Sequence, residues 1–459
     1  MALMNGHSVR CAIDEGAFLA AAARSQARAA ACRRAAFYHW SAPVALQPSD
    51  LLEAAQGLAV RHFYWCSRDR GEEILGVGTA LRITAEGPDR FADSARAAAD
   101  TGAPLLLGAF AFGDAPLSGP WRGFRPADWF VPRVLLRRRG TRTDLTLCGR
   151  SVPGGPPREP ERTLRLAQAL ARFIRPAGTR ARLIAVDPPA AGSRWRQGIA
   201  AAMAAIDRGE LQKVILARRR YALAQRPIPA AAVVRALLAA QLDCAVFACA
   251  QGGRTFLGAT PERLVRTERS RAFVDCIAGS MPRGQDAAQD ESLGAALSES
   301  DKNRREHAFV VAAVVDALSR AGLTPRLPAA PSLLRLPALW HLYTPVQADL
   351  RPGVGLFELA GVLHPTPALG GLPRDRALAF IAEHEGFARG LYGGAVGWCD
   401  ASGDGELMVA IRSGLLHGPV AQYFAGCGIV QDSDPEDEFA ESCLKLRPLA
   451  AALREAMDG

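Results

Sequence analysis

Apolar residues recur along this chain with two different periods. Helical spacing runs through the Ala-rich stretch 17–36, through 162–174, and through 195–206, where Trp195, Ile199, Met203 and Ile206 share one face and Gly209 supplies a stop. It returns at 301–320, bounded by Ser300 and Gly322, at 374–391 after Pro373, and from Asp434 onward. Strand-like runs fill the intervals at 63–65, 74–78, 80–83, 105–112, 214–218, 246–250, 256–258, 263–267, 394–399, 406–411 and 421–425. The runs 129–136 and 144–148 predict a hairpin, and the Pro- and Gly-rich stretch 152–160 predicts a loop. A second Pro-rich joint, Asp187-Pro-Pro189, divides a first part, 1–190, from a second, 191–459. Strand groups alternate with single helices without βαβ regularity, and no internal repeat is visible. The expectation is an α+β fold, with two packed, mainly antiparallel sheets inside and helices outside.

Composition changes this picture little. Hydrophobic residues make up 49% of the 459 residues and charged residues 22%, as in ordinary globular chains. No apolar run reaches the ~18 residues of a membrane span, and Asp14 and Glu15 stand where a basic-then-apolar leader would continue. Ten scattered cysteines without a CxxC pair read as free thiols in a reducing, cytoplasmic setting. The net charge of +9 raises nucleic-acid binding as a rival. No helix-turn-helix, zinc-finger or RNP pattern supports it. The densest basic cluster, Arg137, Arg138, Arg139 and Arg142, lies at an Arg-Gly turn and reads as a solvated hairpin tip. The excess could instead draw in a small anion.

Residues able to carry chemistry concentrate in the second part. From Ser433, a good N-cap before Pro435, the chain places Glu438, Glu441 and Lys445 three and four residues apart on one helix face. An ion-paired solvent face would give the same spacing. The run before it, Tyr423-Phe-Ala-Gly426-Cys-Gly428, ends on glycines that let backbone N–H groups approach an anion. Glu306 sits on the 301–320 helix with Val310, Ala313 and Ala317 to one side, where a carboxylate needs a partner or a metal. Oxygen ligands on two helices suit Mg²⁺. Lys213, at the entrance of an apolar strand, is either a base facing inward or a lysine snorkelling at a strand edge. Glu262 follows a turn proline, and Arg412 ends an apolar run where it could clamp a carboxylate or pair with a neighbour.

Taken together, these segments resemble the chorismate-utilising enzymes: isochorismate synthases, salicylate synthases and the large component of anthranilate synthase. The matching stretches are Leu211-Gln-Lys-Val-Ile-Leu-Ala-Arg218, Gly258-Ala-Thr-Pro-Glu-Arg-Leu264, Ala278-Gly-Ser-Met-Pro-Arg-Gly284, Lys302-Asn-Arg-Arg-Glu-His307, His364-Pro-Thr-Pro-Ala-Leu-Gly-Gly371, Ala410-Ile-Arg412 and 426–445. They cover essentially all of 195–447 in family order. The first 190 residues match more loosely, through Phe63-Tyr-Trp and Leu107-Gly-Ala-Phe-Ala-Phe112. The resemblance implies a single α+β unit, Mg²⁺ held by Glu306 and Glu441 with Glu438 in support, and chorismate carboxylates met by Gly428 N–H, Tyr392, Arg412 and Lys445. It further implies Lys213 as the base for a water attacking C2 and Glu262 as the acid for the hydroxyl leaving C4. His341 and Ala368 fall at its substrate pocket, although a buried structural histidine would look the same. Aminating members carry glutamine where this chain has Lys213, and read Pro-Ala-Gly-Thr where it has Pro365-Thr-Pro-Ala368. Isochorismate synthase is therefore the branch implied, with salicylate or siderophore synthesis as the favoured route. The menaquinone route, a salicylate synthase and an aminating subunit are the alternatives. Asn303, usually acidic in the family, and Pro448, expected to bend the last helix, depart from its pattern. A monomer without nucleic-acid or membrane partners is expected.

Overall fold

The computed structural model describes residues 13–155, 158–173, 182–186, 191–335 and 339–458. The 187–189 joint and part of the 152–160 loop lie outside them. Among the described residues the strands form two sheets, of twelve and nine strands, and every strand-to-strand pairing is antiparallel. The inner faces meet in a core that includes Phe63, Trp65, Leu107, Phe130, Phe247, Phe256 and Phe424. Strands such as His62–Ser67 and Leu105–Phe110 are buried at every residue, so they read as continuous apolar runs rather than alternating ones. Helices Glu15–Cys32, Ala230–Ala240 and Pro435–Asp458 cover the outside of the larger sheet. Arg90–Thr101, Asp301–Arg320 and Leu356–Leu363 cover the smaller.

The chain traces one path twice. In the first pass Ala36–Pro43, His62–Ser67 and Glu72–Val77 lie in the larger sheet. Leu81–Ala85, Leu105–Phe110 and Ala127–Val131 follow in the smaller, and Val134–Arg139 and Arg142–Ser151 return to the larger. In the second pass Lys213–Ala224, Ala245–Gln251, Arg254–Thr260, Arg263–Glu268, Ala395–Asp400, Gly405–Val409, Ser413–His417 and Val420–Ile429 take the corresponding places with the corresponding neighbours. The passes join where His62–Ser67 pairs with Ala245–Gln251 and where Leu105–Phe110 pairs with Ala395–Asp400. The structure thus contains a repeat of topology that the residue pattern does not reveal. Only the second pass is interrupted at length: Arg271–Pro282, Leu339–Asp349 and helices Ala287–Glu299, Asp301–Arg320, Leu356–Leu363 and Arg374–His384 lie between its fourth and fifth strands.

Several expectations need correction. The run 129–136 is two strands in different sheets, because Pro132 and Arg133 carry the chain from one to the other. The helix expected to reach 391 stops at His384; Gly386 (φ 68°) and Gly390 (φ 59°) take left-handed backbone that ends it. The helix Ala230–Ala240 is apolar almost throughout and so offered no amphipathic stripe to read. The last helix contains Pro448 and runs to Asp458. In the basic cluster, Arg137 and Arg138 pair with Glu72 and Glu73 on the adjacent strand, and only Arg139 and Arg142 form an exposed tip. No helix among the described residues is long and apolar enough to cross a membrane.

Candidate active site

Two crossings from sheet to sheet carry Glu262 and Arg412. Arg254–Thr260 leaves the larger sheet through Pro261 and Glu262 into Arg263–Glu268, while Gly405–Val409 leaves the smaller one through Ala410, Ile411 and Arg412 into Ser413–His417. The crossings are bonded to each other. Thr260 Oγ1 donates to the Val409 carbonyl at 2.6 Å, the Val409 amide to the Glu262 carbonyl at 2.9 Å, and the Ala259 amide to the Arg412 carbonyl at 3.4 Å. A Cβ on Gly258 would stand 2.7 Å from Ser413 Cβ and 2.8 Å from the Arg412 carbonyl, so glycine permits the approach. Arg412 itself sits at φ 48°, an uncommon conformation for a side-chain-bearing residue.

Lys213 opens the strand paired with Val420–Ile429, with Ile215 opposite Gly428 and Ala217 opposite Gly426. The lysine stem crosses directly over Gly428, whose missing Cβ would stand 2.9 Å from Lys213 Cε. Its ammonium donates to Glu306 Oε1 at 3.2 Å. Tyr392 is buried, stacks on Phe424 with centroids 5.1 Å apart, and brings its hydroxyl to 3.1 Å from the place a Gly426 Cβ would take.

Electrostatics join these pieces. Burial pushes the Glu262 carboxyl from an ordinary 4.5 up to about 7, against the opposing pull of Lys445, Arg412 and Lys213. Those opposing charges belong to three residues that the sequence singled out independently, and Glu262 in turn helps burial raise the Tyr392 hydroxyl. Near neutral pH Glu262 therefore holds a proton for a sizeable part of the time, the condition a general acid needs. His341 bonds Ser280 Oγ through Nδ1 at 2.8 Å, and burial lowers its pKa while Arg412 adds to that effect.

The last helix supplies the acidic side. Its cap is Asp434, not Ser433: Asp434 Oδ1 accepts from the amides of Glu436 at 2.9 Å and Asp437 at 3.0 Å. Ser433 Oγ instead accepts from the Val430 amide and donates to Glu438 Oε1 at 2.9 Å, tying this glutamate to the end of the glycine strand. Lys445 lies 2.6 Å from Glu441 Oε1 and donates to the Gly426 carbonyl at 3.0 Å.

Glu438 and Glu441 gather with Cys427, their ligand atoms within 4.8 Å of one another. Burial and the neighbouring Glu441 raise Glu438, a sign of like charges that a cation would relieve. The Cys427 thiol, pushed up to about 12 by burial, donates to the Glu438 carbonyl and stays protonated, which leaves a carboxylate donor set suited to a hard divalent ion. Glu306 lies outside this cluster. Its side chain is 45% exposed, its helix buries His307, Val314, Ala317 and Leu318 instead, and its charge is met by Lys213. The apolar face expected around Glu306 is therefore not where it sits. Ala368 is in the turn between Leu356–Leu363 and Gly371, half-buried. The buried pair Glu385–Arg389 beside this turn was not anticipated, because an acid and a base four apart read first as a solvent-facing pair.

A sequence profile for the family described as chorismate binding enzyme matches residues 22–454. The chain belongs to the chorismate-binding enzyme family. It is 38% identical over 373 residues to the salicylate biosynthesis isochorismate synthase of Pseudomonas aeruginosa, covering 77% of this chain and 74% of that one. It is 37% identical over 354 residues to the isochorismate synthase MenF of Bacillus subtilis, covering 76% and 74%. Among solved structures, the menaquinone-specific isochorismate synthase of Escherichia coli superimposes with a TM-score of 0.76 at 29% identity, over 92% of this chain and 95% of that one. Anthranilate synthase component I of Streptococcus pneumoniae shares the fold, with a TM-score of 0.66 at 19% identity.

Two consequences can be measured on this member of the chorismate-binding family without substrate. Because the folded-state pKa of Glu262 lies above its ordinary value, the folded protein binds more protons than the unfolded chain between pH 4.5 and about 7. The stability contribution of the neutral form is complete below 4.5 and is lost as pH rises through about 7. Glu262→Gln lacks this titration, so its melting temperature relative to wild type should climb across that window; a difference independent of pH would contradict the assignment. For Gly428→Ala, the added methyl meets the flexible end of Lys213 rather than backbone. Thermal melting should move little, while nuclear magnetic resonance of the Lys213 ε-methylene should report a changed environment.

Proposed function

We propose that this chain converts chorismate to isochorismate, with water adding at C2 as the hydroxyl leaves C4. The observation that supports this most is the Glu262 carboxyl, held up to about 7 and faced by Lys213, Lys445 and Arg412. Chorismate brings two carboxylates and an allylic hydroxyl. A site that combines several cations with a protonatable carboxyl suits both, as anchor and as acid. Lys213, in its neutral form, takes the proton of the attacking water. Glu262 gives its proton to the C4 oxygen, which departs as water, so one water is consumed and one released. Arg412, Lys445, Tyr392 and the Gly428 N–H hold the carboxylates, with His341 and Ala368 lining the pocket.

Glu441, with Glu438 beside it to support the water shell, would hold Mg²⁺, and Glu306 would join as the second ligand once its pair with Lys213 opens. When bound, the ion supplies the counter-charge that lets these glutamates face a carboxylate substrate. Lys213 cannot remain the ion-pair partner of Glu306 and also be neutral, so catalysis requires that pair to open. The 38% identity to the salicylate biosynthesis isochorismate synthase and the 37% identity to isochorismate synthase MenF are equally compatible with a salicylate, siderophore or menaquinone route for the product.

With chorismate and Mg²⁺, chromatography should identify isochorismate as the main product, with little salicylate and no anthranilate even when ammonia is supplied. Anthranilate as the main product would place the chain in another branch. Chelation should abolish turnover and readded Mg²⁺ should restore it; full activity in excess chelator would remove the metal from the account. Lys213→Ala and Glu262→Gln should each lower kcat by roughly 10²–10⁴ while chorismate binding survives, since neither is a carboxylate contact. Near wild-type turnover by Lys213→Ala would refute it as the base.

A further inference from the structure

The strand Lys213–Ala224 has a gap along one edge. On its inner side it is fully paired with Val420–Ile429. On its outer side, among the described residues, Gly371–Leu372 pairs at 213–214 and Leu183–Val186 at 221–224. Between these two short partners the edge groups of Ile215 and Ala217 need other acceptors and donors. The Ile215 amide donates to the Gly370 carbonyl at 3.0 Å. The next two groups are met by side chains: the Ala217 amide donates to Glu385 Oε1 at 2.7 Å, and Arg389 Nη2 donates to the Ile215 carbonyl at 2.8 Å.

Glu385 and Arg389 are themselves an ion pair with side chains 1% and 3% exposed. The guanidinium bonds both carboxylate oxygens, Nε reaching Glu385 Oε2 at 2.9 Å. Its Nη1 donates to the Leu369 carbonyl at 2.9 Å, in the turn next to Ala368. The Arg389 carbonyl accepts from the Tyr392 amide at 3.0 Å, and the guanidinium lies 4.2 Å over the Phe112 ring. One buried pair therefore touches three separate carriers of the site: the strand that begins at Lys213, the turn that contains Ala368, and the segment that presents Tyr392.

Stability alone does not account for such a pair. Desolvating two charges offsets most of their attraction, and apolar side chains of similar size often serve a core equally well. What apolar side chains cannot supply is a planar fork aimed at two carbonyls and a carboxylate at once. We propose that Glu385 and Arg389 are positioning residues, which hold the Lys213 strand in register with the Ala368 turn and Tyr392 and so set where the amine stands relative to Glu262. Neither residue is placed in contact with substrate. The inference rests on the isochorismate-forming reading for its kinetic consequence, but not for its structural one.

The test compares the wild type, Glu385→Gln, and the apolar double variant Glu385→Leu/Arg389→Met, by hydrogen exchange and by turnover of chorismate with Mg²⁺. The double variant removes both charges together, so it avoids an orphaned buried ion and should fold. Its expected signature is faster amide exchange confined to peptides spanning 215–217 and 369–372, with both sheets otherwise protected. Its kcat should fall about a hundredfold with KM changed by less than about threefold, since Arg412 and Lys445 come from elements the pair does not touch. Glu385→Gln keeps an acceptor for the Ala217 amide but orphans the Arg389 charge, so its melting temperature should fall below that of the double variant while exchange at Ala217 stays slower. Unchanged exchange at 215–217, wild-type kcat in the folded double variant, or exchange that rises evenly across both sheets would each overturn the positioning role. So would exchange at Ala217 as fast in folded Glu385→Gln as in the double variant. If the wild type forms no isochorismate, the proposed function fails, and the exchange pattern still decides whether the pair holds the strand.

Discussion

The site depends on two strands changing sheets side by side. A strand that leaves one sheet for another gives up its ladder hydrogen bonds at the crossing, and those groups must be satisfied locally. Here each crossing satisfies the other, through Thr260, Val409, Glu262 and Arg412 backbone and hydroxyl groups. The arrangement places one acidic and one basic side chain at a junction whose backbone is bonded on both sides, with little freedom to drift. The first pass of the chain makes the same pair of crossings, through Gly78 and Thr79 and through Pro132 and Arg133, where the Arg133 amide bonds the Val77 carbonyl at 3.1 Å. Chemistry-bearing residues fill the crossings of the second pass, whose long interruption also brings Glu306, His341 and Ala368 to the same end.

Charge then does what geometry leaves open. The cations Lys213 and Lys445 are each paired with a glutamate, Glu306 and Glu441, and neither of these pairs is fully buried. Partly exposed pairs of this kind are held weakly and exchange partners readily. Glu262 differs: burial dominates its titration although three cations oppose it. A weakly held set of charges around one carboxyl that prefers its proton is the arrangement required by a dianionic substrate that must lose a hydroxyl.

Much of the site was legible in the chain. Lys213, Glu262, Arg412, Gly428 and Lys445 fell in segments whose pattern stood out, whereas Tyr392 entered only through the family resemblance; helix Asp301–Arg320 and the last helix formed close to where periodicity placed them, and the strand expected at 214–218 runs on to Ala224. What was not legible depends on distant partners. Pro132 marks a crossing only when a second sheet exists to receive the chain. The Glu385–Arg389 spacing describes an exposed helical pair and a buried clamp equally well, and only the open edge at Ile215 and Ala217 separates them. Ser433 has the chemistry of a cap, but Asp434 is one residue nearer the first free amides and takes that role. Glu306 looked buried because its neighbours are apolar, whereas the helix turns that face toward His307 and leaves the glutamate to Lys213.

The central claim is that Lys213 and Glu262 act on two different oxygens, one arriving from water and one leaving from C4. Turnover of chorismate in ¹⁸O-labelled water, followed by mass spectrometry of the product, tests this most directly. The account predicts isochorismate carrying one ¹⁸O, located at C2, from the first turnover. Isochorismate that retains the unlabelled oxygen of chorismate would mean that the hydroxyl migrates within the substrate, and would contradict the assignment of a water-activating base and a separate acid.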